Sequence, residues 1–271
     1  MSAGRRFYRN GIVYSAQDPF ATAMVVEGGR VAWVGPDAGA GPWVQPDDEV
    51  VDLAGRLVTP VFVDLLAAPG DAAGAAGVLA PAAGPVDPSS LLVVDPDAGD
   101  LVDPAGLADR GRGVLAVPAR HHRDPVDLAA LAAAGVVLAL SSGRGAPLSP
   151  WAVLRAAVFP DGHPERGVSA RAAFLAHTRG PRRLAATTGT VLEPGGDGGQ
   201  GGLSAGAGAS YAVWDVDELL VQTPDRRVAA WSTDARAGTP VLPDLAPGAE
   251  LPVCRRTAIG GRVTYDTLSD A

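Results

Sequence analysis

Four short apolar runs, at residues 60–66, 91–94, 114–117 and 136–140, constrain this chain more than any other feature. A strand with one wet face alternates apolar and polar side chains. An almost unbroken run such as Val61, Phe62, Val63, Asp64, Leu65, Leu66 suits a strand covered on both faces, as in a parallel α/β sheet. Between the last two runs, residues 125–134 have helical spacing, with Leu128 and Leu131 on one face, Asp124 as the cap and Gly135 as the stop. The pattern is a β-α-β rhythm. Further helices are predicted at Pro150–Val158 and at residues 169–177. Residues 67–88 are almost entirely Ala, Gly, Pro and Asp, too small to build a core, and read as a linker.

Both ends of the chain have a different character. Residues 7–14, Ala23–Glu27 and Arg30–Gly35 are β-branched or aromatic runs, and Gly28-Gly29 between the last two is a hairpin turn. Residues 49–53 and 56–59 flank Ala54-Gly55 in the same manner and are read as a second antiparallel pair. Beyond Gly189, strands are predicted at residues 211–214, 219–222, Val253–Ile259 and 262–265, with Gly260-Gly261 as another hairpin turn. The Gly-, Ala- and Ser-rich residues 195–208 read as a flexible surface loop. The expected class is α/β. Residues 1–59 and 188–271 would form a composite β-sandwich domain, and residues 60–187 a barrel-like α/β domain inserted in it.

Composition narrows the function classes. Hydrophobic residues make up 47% and charged residues 19%, and the formal net charge is −8. That sign repels phosphate backbones and anionic bilayers, so neither nucleic acid nor a membrane is an expected partner. No window approaches the roughly 18 apolar residues of a membrane span, and no apolar stretch follows Met1–Arg6 as a leader would require, so a cytoplasmic protein is expected. Cys254 is the single cysteine and forms no internal disulfide. The chain contains no lysine, which excludes Schiff-base, phosphate-loop and metal-bridging lysine chemistry.

The joints of this layout resemble the amidohydrolase superfamily. Glu27-Gly28-Gly29-Arg30-Val31-Ala32-Trp33-Val34-Gly35 is similar to its first hairpin. Val50-Val51-Asp52-Leu53-Ala54-Gly55-Arg56-Leu57-Val58-Thr59-Pro60, continued by Val61-Phe62-Val63-Asp64, is similar to the strand that leads to its first metal ligands. Gly189-Thr190-Val191-Leu192-Glu193-Pro194-Gly195, residues 209–215 and Gly261-Arg262-Val263-Thr264-Tyr265 resemble the return to the β domain. Residues 134–143 are similar to the last barrel strand, and Ser149-Pro150-Trp151 matches a motif of the branch that includes formamide deformylases. The resemblance implies a partial TIM-type barrel and a hydrolase acting on non-peptide carbon–nitrogen bonds, with hydroxide generated on divalent metal.

The same resemblance breaks at the chemistry. Its His-x-His pair falls on Leu66 and Ala68, and its last-strand aspartate falls on Gly143; a one-residue slip would offer Ser142 or Arg144, neither a carboxylate. A complete eight-stranded barrel takes roughly 250 residues, and residues 60–187 supply about half of that. A partial barrel exposes a sheet edge, so self-association is expected.

No catalytic, cofactor-binding or metal-binding residue is therefore assigned, and no cofactor is expected. Asp64 is read as making local hydrogen bonds only, and Ser141 and Ser142 as serines without a base. His121 and His122 follow the third run and read as loop residues, though one of them is the expected ligand if any metal binds. His163 lies in a turn-rich loop. His177 reads as a structural residue satisfying carbonyls at a helix end, and Cys254 as a buried, inert thiol. The leading reading is a degenerate, non-catalytic amidohydrolase-type protein. A residual hydrolase with a rearranged metal site and a metal-free small-molecule binding protein remain the alternatives.

Overall fold

In the computed structural model, residues 4–81, 84–85, 92–94, 103–109, 113–118, 126–143, 149–192, 201–220 and 240–268 are described. The chain begins with β1 (Arg6–Arg9), β2 (Ile12–Val13), β3 (Ala23–Glu27), β4 (Arg30–Gly35), β5 (Glu49–Asp52) and β6 (Leu57–Pro60). Gly28 and Gly29 have φ of 55° and 79°, the left-handed backbone that a two-residue hairpin turn demands, and β3 and β4 pair antiparallel around them. The Ala54-Gly55 turn behaves otherwise. β5 pairs in parallel with β1, whereas β6 pairs with β2 and, later in the chain, with residues 211–214. The expected second hairpin is therefore absent: the turn hands the chain from one sheet to another, because each flanking strand finds its partner elsewhere.

The middle of the chain carries β7 (Phe62–Val63), α1 (Asp71–Ala75), β8 (Val78–Leu79), β9 (Leu92–Val94), α2 (Pro104–Asp109), β10 (Val114–Ala116), α3 (Leu128–Ala133), β11 (Leu138–Leu140), α4 (Pro150–Val158), α5 (Ala170–Thr178) and α6 (Gly180–Thr188). β9, β10 and β11 form a parallel sheet in the order β11-β10-β9, and β7 pairs in parallel with β8. No closed barrel forms among the described residues. Part of the expected linker is structured, since α1 and β8 lie within it and Ala67, Ala73 and Ala80 make a small buried cluster. Small side chains fit there because a short helix must pack close to a sheet.

α3 is capped by Asp127, whose Oδ1 accepts from the Ala130 amide at 2.8 Å, in place of the expected Asp124, which lies outside the described residues. Leu128 and Leu131 are both buried. α5 is capped by Ser169. Sequence reading gave no helix for α6, which begins in the helix-poor Gly180-Pro181 and docks closely. A Cβ built on Gly180 would stand 1.9 Å from the Leu138 carbonyl oxygen, so only glycine lets this helix approach β11.

The chain closes with β12 (Tyr211–Asp215), β13 (Leu219–Leu220), β14 (Leu242–Pro243), β15 (Val253–Ile259) and β16 (Arg262–Asp266). One sheet runs β16-β15-β12-β6-β2 and another β4-β3-β1-β5. The chain divides into two compact units, one of residues 1–61, 195–244 and 250–271, and a second of residues 62–194 and 245–249. The first unit's core mixes both termini: Tyr8, Met24, Leu53 and Val58 pack with Leu203, Tyr211 and Val213. Residues 201–208 depart from the expected loose loop. The Val31 amide donates to the Ala207 carbonyl at 2.9 Å, the Gly206 amide to the Val31 carbonyl at 2.8 Å, and Leu203 is buried. Residues 195–200 lie outside the described residues. Composition misleads there because a glycine-rich loop can be pinned through its backbone amides and carbonyls, with a single buried leucine as anchor.

Candidate functional site

The candidate site lies in the α/β unit, where β7 and β11 end. Ladder hydrogen bonding carries each strand one residue further. The Asp64 amide donates to the Leu79 carbonyl at 3.1 Å, and the Ser141 amide to the Ala116 carbonyl at 3.0 Å. Asp64 then turns the chain on itself. Its Oδ1 accepts from the Leu66 amide at 3.0 Å, an aspartate turn of the kind that follows strands.

Asp64 is 1% exposed, and a buried carboxylate is tolerated only where donors replace its water. Those donors come from 77 and 78 residues away. Ser141 Oγ donates to Oδ1 at 2.5 Å, while the Ser142 amide and Ser142 Oγ donate to Oδ2 at 2.8 and 2.6 Å. Each carboxylate oxygen thus accepts two hydrogen bonds, which uses the roughly four acceptor positions of the group. The Gly143 amide donates back to Ser141 Oγ at 3.0 Å, and its φ of 90° is one that glycine adopts freely. The expectation that Asp64 bonds only locally is overturned: one of its four hydrogen bonds is local and three come from the end of β11.

His177 packs against β7. It is 1% exposed, and its Nδ1 lies 3.1 Å from the Val63 carbonyl oxygen, so Nδ1 carries the proton and donates. Its ring meets Phe62 edge-on at 5.3 Å, and Phe62 meets Trp151 and Phe174 in the same way at 5.0 and 5.4 Å. Burial pushes the imidazole below its ordinary pKa, against the opposing pull of the Asp64 charge. His177 therefore anchors α5 to β7 as a neutral ring; the expected bond to its own helix end is replaced by one across to the strand.

The other sequence candidates do not converge on this place. Leu66 is buried and Ala68 exposed, in a turn beyond β7 that does not share the alternation of a strand. His163 lies on the surface with Nδ1 3.1 Å from Glu165 Oε1. His121, His122 and Arg144 lie outside the described residues. Cys254 is buried in β15, where desolvation pushes its thiol up to about 11, in keeping with an inert group.

The donor set does not suit a divalent metal. The positions to which the family resemblance assigns ligands hold two alkyl side chains and a glycine, and the nearby carboxylate has its acceptor positions filled from within the protein. Among the described residues no group of three or more His, Cys, Asp or Glu is placed to hold a metal ion. The sequence offered one signal for the serine cluster: polar residues at the ends of buried strands must find partners. It offered none for which partners they find.

No family model matches the chain. A stretch of 64 residues is 38% identical to the exoenzymes regulatory protein AepA of Pectobacterium carotovorum subsp. carotovorum, covering 23% of this chain and 14% of that protein. Among solved structures, an amidohydrolase from Thermotoga maritima MSB8 superposes with a TM-score of 0.57 at 13% identity, covering 96% of this chain and 100% of that one. N-isopropylammelide isopropylaminohydrolase from Burkholderia multivorans ATCC 17616 gives 0.54 at 14% identity, covering 98% and 99%. At such identities the likeness is one of fold: a mixed α/β chain of several sheets, similar to amidohydrolases. Among the described residues no helix is long and apolar enough to cross a membrane.

Proposed function

We propose that this chain is an amidohydrolase-type protein that no longer performs metal-dependent hydrolysis of carbon–nitrogen bonds. The observation that carries the reading is the filled carboxylate of Asp64, whose oxygens accept from Leu66, Ser141 and Ser142. Hydroxide formation at neutral pH requires a bound cation to lower the pKa of water, and a cation requires ligands with free lone pairs. Leu66, Ala68 and Gly143 have no side-chain donor atom.

Ser149-Pro150-Trp151 supports descent near the branch that includes formamide deformylases. The shortness of residues 60–187 supports a partial barrel that self-associates in the cytoplasm, to be tested by sedimentation at micromolar concentration; a stable monomer would remove that part of the proposal. The functional reading is tested by assaying the purified protein on formamides, cyclic amides and amino-triazines, alone and with added zinc, nickel or iron. No turnover above the metal-only control is expected. Metal-dependent turnover that is lost on chelation would contradict it and return the chain to the residual hydrolases.

A further inference from the structure

β7 and β11 belong to different sheets of the α/β unit, β7 pairing with β8 and β11 with β10. Their ends are nevertheless joined. Three hydrogen bonds cross from Ser141 and Ser142 to one carboxylate, at 2.5, 2.8 and 2.6 Å, and all three donors are neutral. Among the described residues no cation pairs with Asp64. The Leu66 bond and the Gly143 bond brace the two sides of the junction, fixing the turn after β7 and the orientation of the Ser141 hydroxyl. Such a network is costly when half made, since each donor left behind in the interior loses its water without gaining a partner. Complete, it holds two strands that share no ladder.

We infer that Asp64, Ser141 and Ser142 form a clamp that closes the α/β unit by tying the end of β7 to the end of β11, in the place where the family resemblance puts a divalent cation. The clamp makes closure independent of metal. It rests on the reading of the site as metal-free, and Asp64 acts in it as a positioning residue. The retention of Asp64 beside replaced ligands then has a physical reason: the carboxylate is still needed, as an acceptor for serines.

The test is a double-mutant cycle between Asp64→Asn and the joint Ser141→Ala, Ser142→Ala change, followed by urea unfolding and by amide exchange, with and without chelator. An asparagine presents an NH₂ group to the Ser142 donors, so Asp64→Asn should accelerate exchange of the Ser142 amide about tenfold or more, while the Leu115 amide in the middle of β10 changes far less. In the cycle, Asp64→Asn should lower the urea midpoint by roughly half as much or less once both serines are gone. Ser142→Ala, which removes one of the crossing bonds, supplies a milder variant should Asp64→Asn fail to fold, and it should show the same local pattern. Uniform acceleration at Ser142 and Leu115, or strictly additive midpoints, would overturn the clamp. Chelator should leave the wild-type transition in place. A fall in that transition on chelation, with metal found in the protein, would overturn the metal-free reading itself, whereas an inert chelator with additive midpoints would overturn the clamp alone.

Discussion

The two units solve the same problem, tying distant stretches of chain through one carboxylate, with different chemistry. In the β unit, Asp215 sits between the guanidinium groups of Arg56, at 2.5 Å, and Arg255, with its side chain 33% exposed. In the α/β unit, Asp64 is 1% exposed and is held by neutral amides and hydroxyls. Water shares the work at Asp215 and screens it; nothing but the protein serves Asp64. A surface ion pair can be lost cheaply, whereas a buried acceptor cannot be removed without stranding its donors.

The largest expected difference comes from deleting the two carboxylates. Asp64→Ala leaves two hydroxyls and two peptide N–H groups, those of Leu66 and Ser142, without their acceptor and should cost about 3 kcal/mol or more, measured by urea unfolding. An Asp64→Ala variant as stable as wild type would break the comparison. A second effect of similar origin is steric. Gly180→Ala would place a Cβ 1.9 Å from a backbone oxygen of β11, where no side chain can give way, and should cost about 2 kcal/mol.

The pH dependence of the two units should separate. The folded-state pKa of His177 lies below its ordinary value because burial disfavours the imidazolium. The unfolded chain therefore binds the proton more readily, and stability present above roughly pH 6.5 should be lost as pH falls through that value, by up to about 1.4 kcal/mol per pH unit. The β unit should respond in other pH ranges. Asp215 and Asp266 are shifted down by their arginine partners despite partial burial, so their contribution should persist until pH falls below roughly 4. Tyr211 is held well above its ordinary pKa by burial, then by the neighbouring Tyr8, so the unit should lose stability as pH rises past roughly 10. Amide exchange resolved by unit checks this; simultaneous acid loss in both at one pH would blunt the contrast. The smallest effect is ionic. Asp215→Ala should cost about 1 kcal/mol at low salt and less at high salt, while the cost of Asp64→Ala should be insensitive to salt.

The β3–β4 and β15–β16 hairpins were legible because a Gly-Gly turn is local chemistry, contained in two residues whose left-handed backbone only glycine adopts freely. Ala54-Gly55 carried the same local signal, but β5 and β6 took partners that no turn specifies. The parallel runs were legible from their unbroken apolar character, and their ladder registers from β9 to β11 follow that order. What composition hid were the places built from small residues: the Ala67, Ala73 and Ala80 cluster, and residues 201–208 lying along the Gly29 to Val31 turn. That Leu66, Ala68 and Gly143 stand where the family resemblance expects metal ligands is a reading of register alone. The serine partners of Asp64 could not, because a hydrogen bond between residues 77 positions apart leaves no periodicity to detect.

Elemental analysis of the protein, purified without added metal and after mild chelation, tests the central claim most directly, since ligand lone pairs and bound cation stand or fall together. Far less than one equivalent of zinc, nickel or iron per chain is the predicted result. About one tightly held metal per chain would contradict it, and would show that Asp64 or residues beyond the described ones supply a site that the serine cluster does not fill.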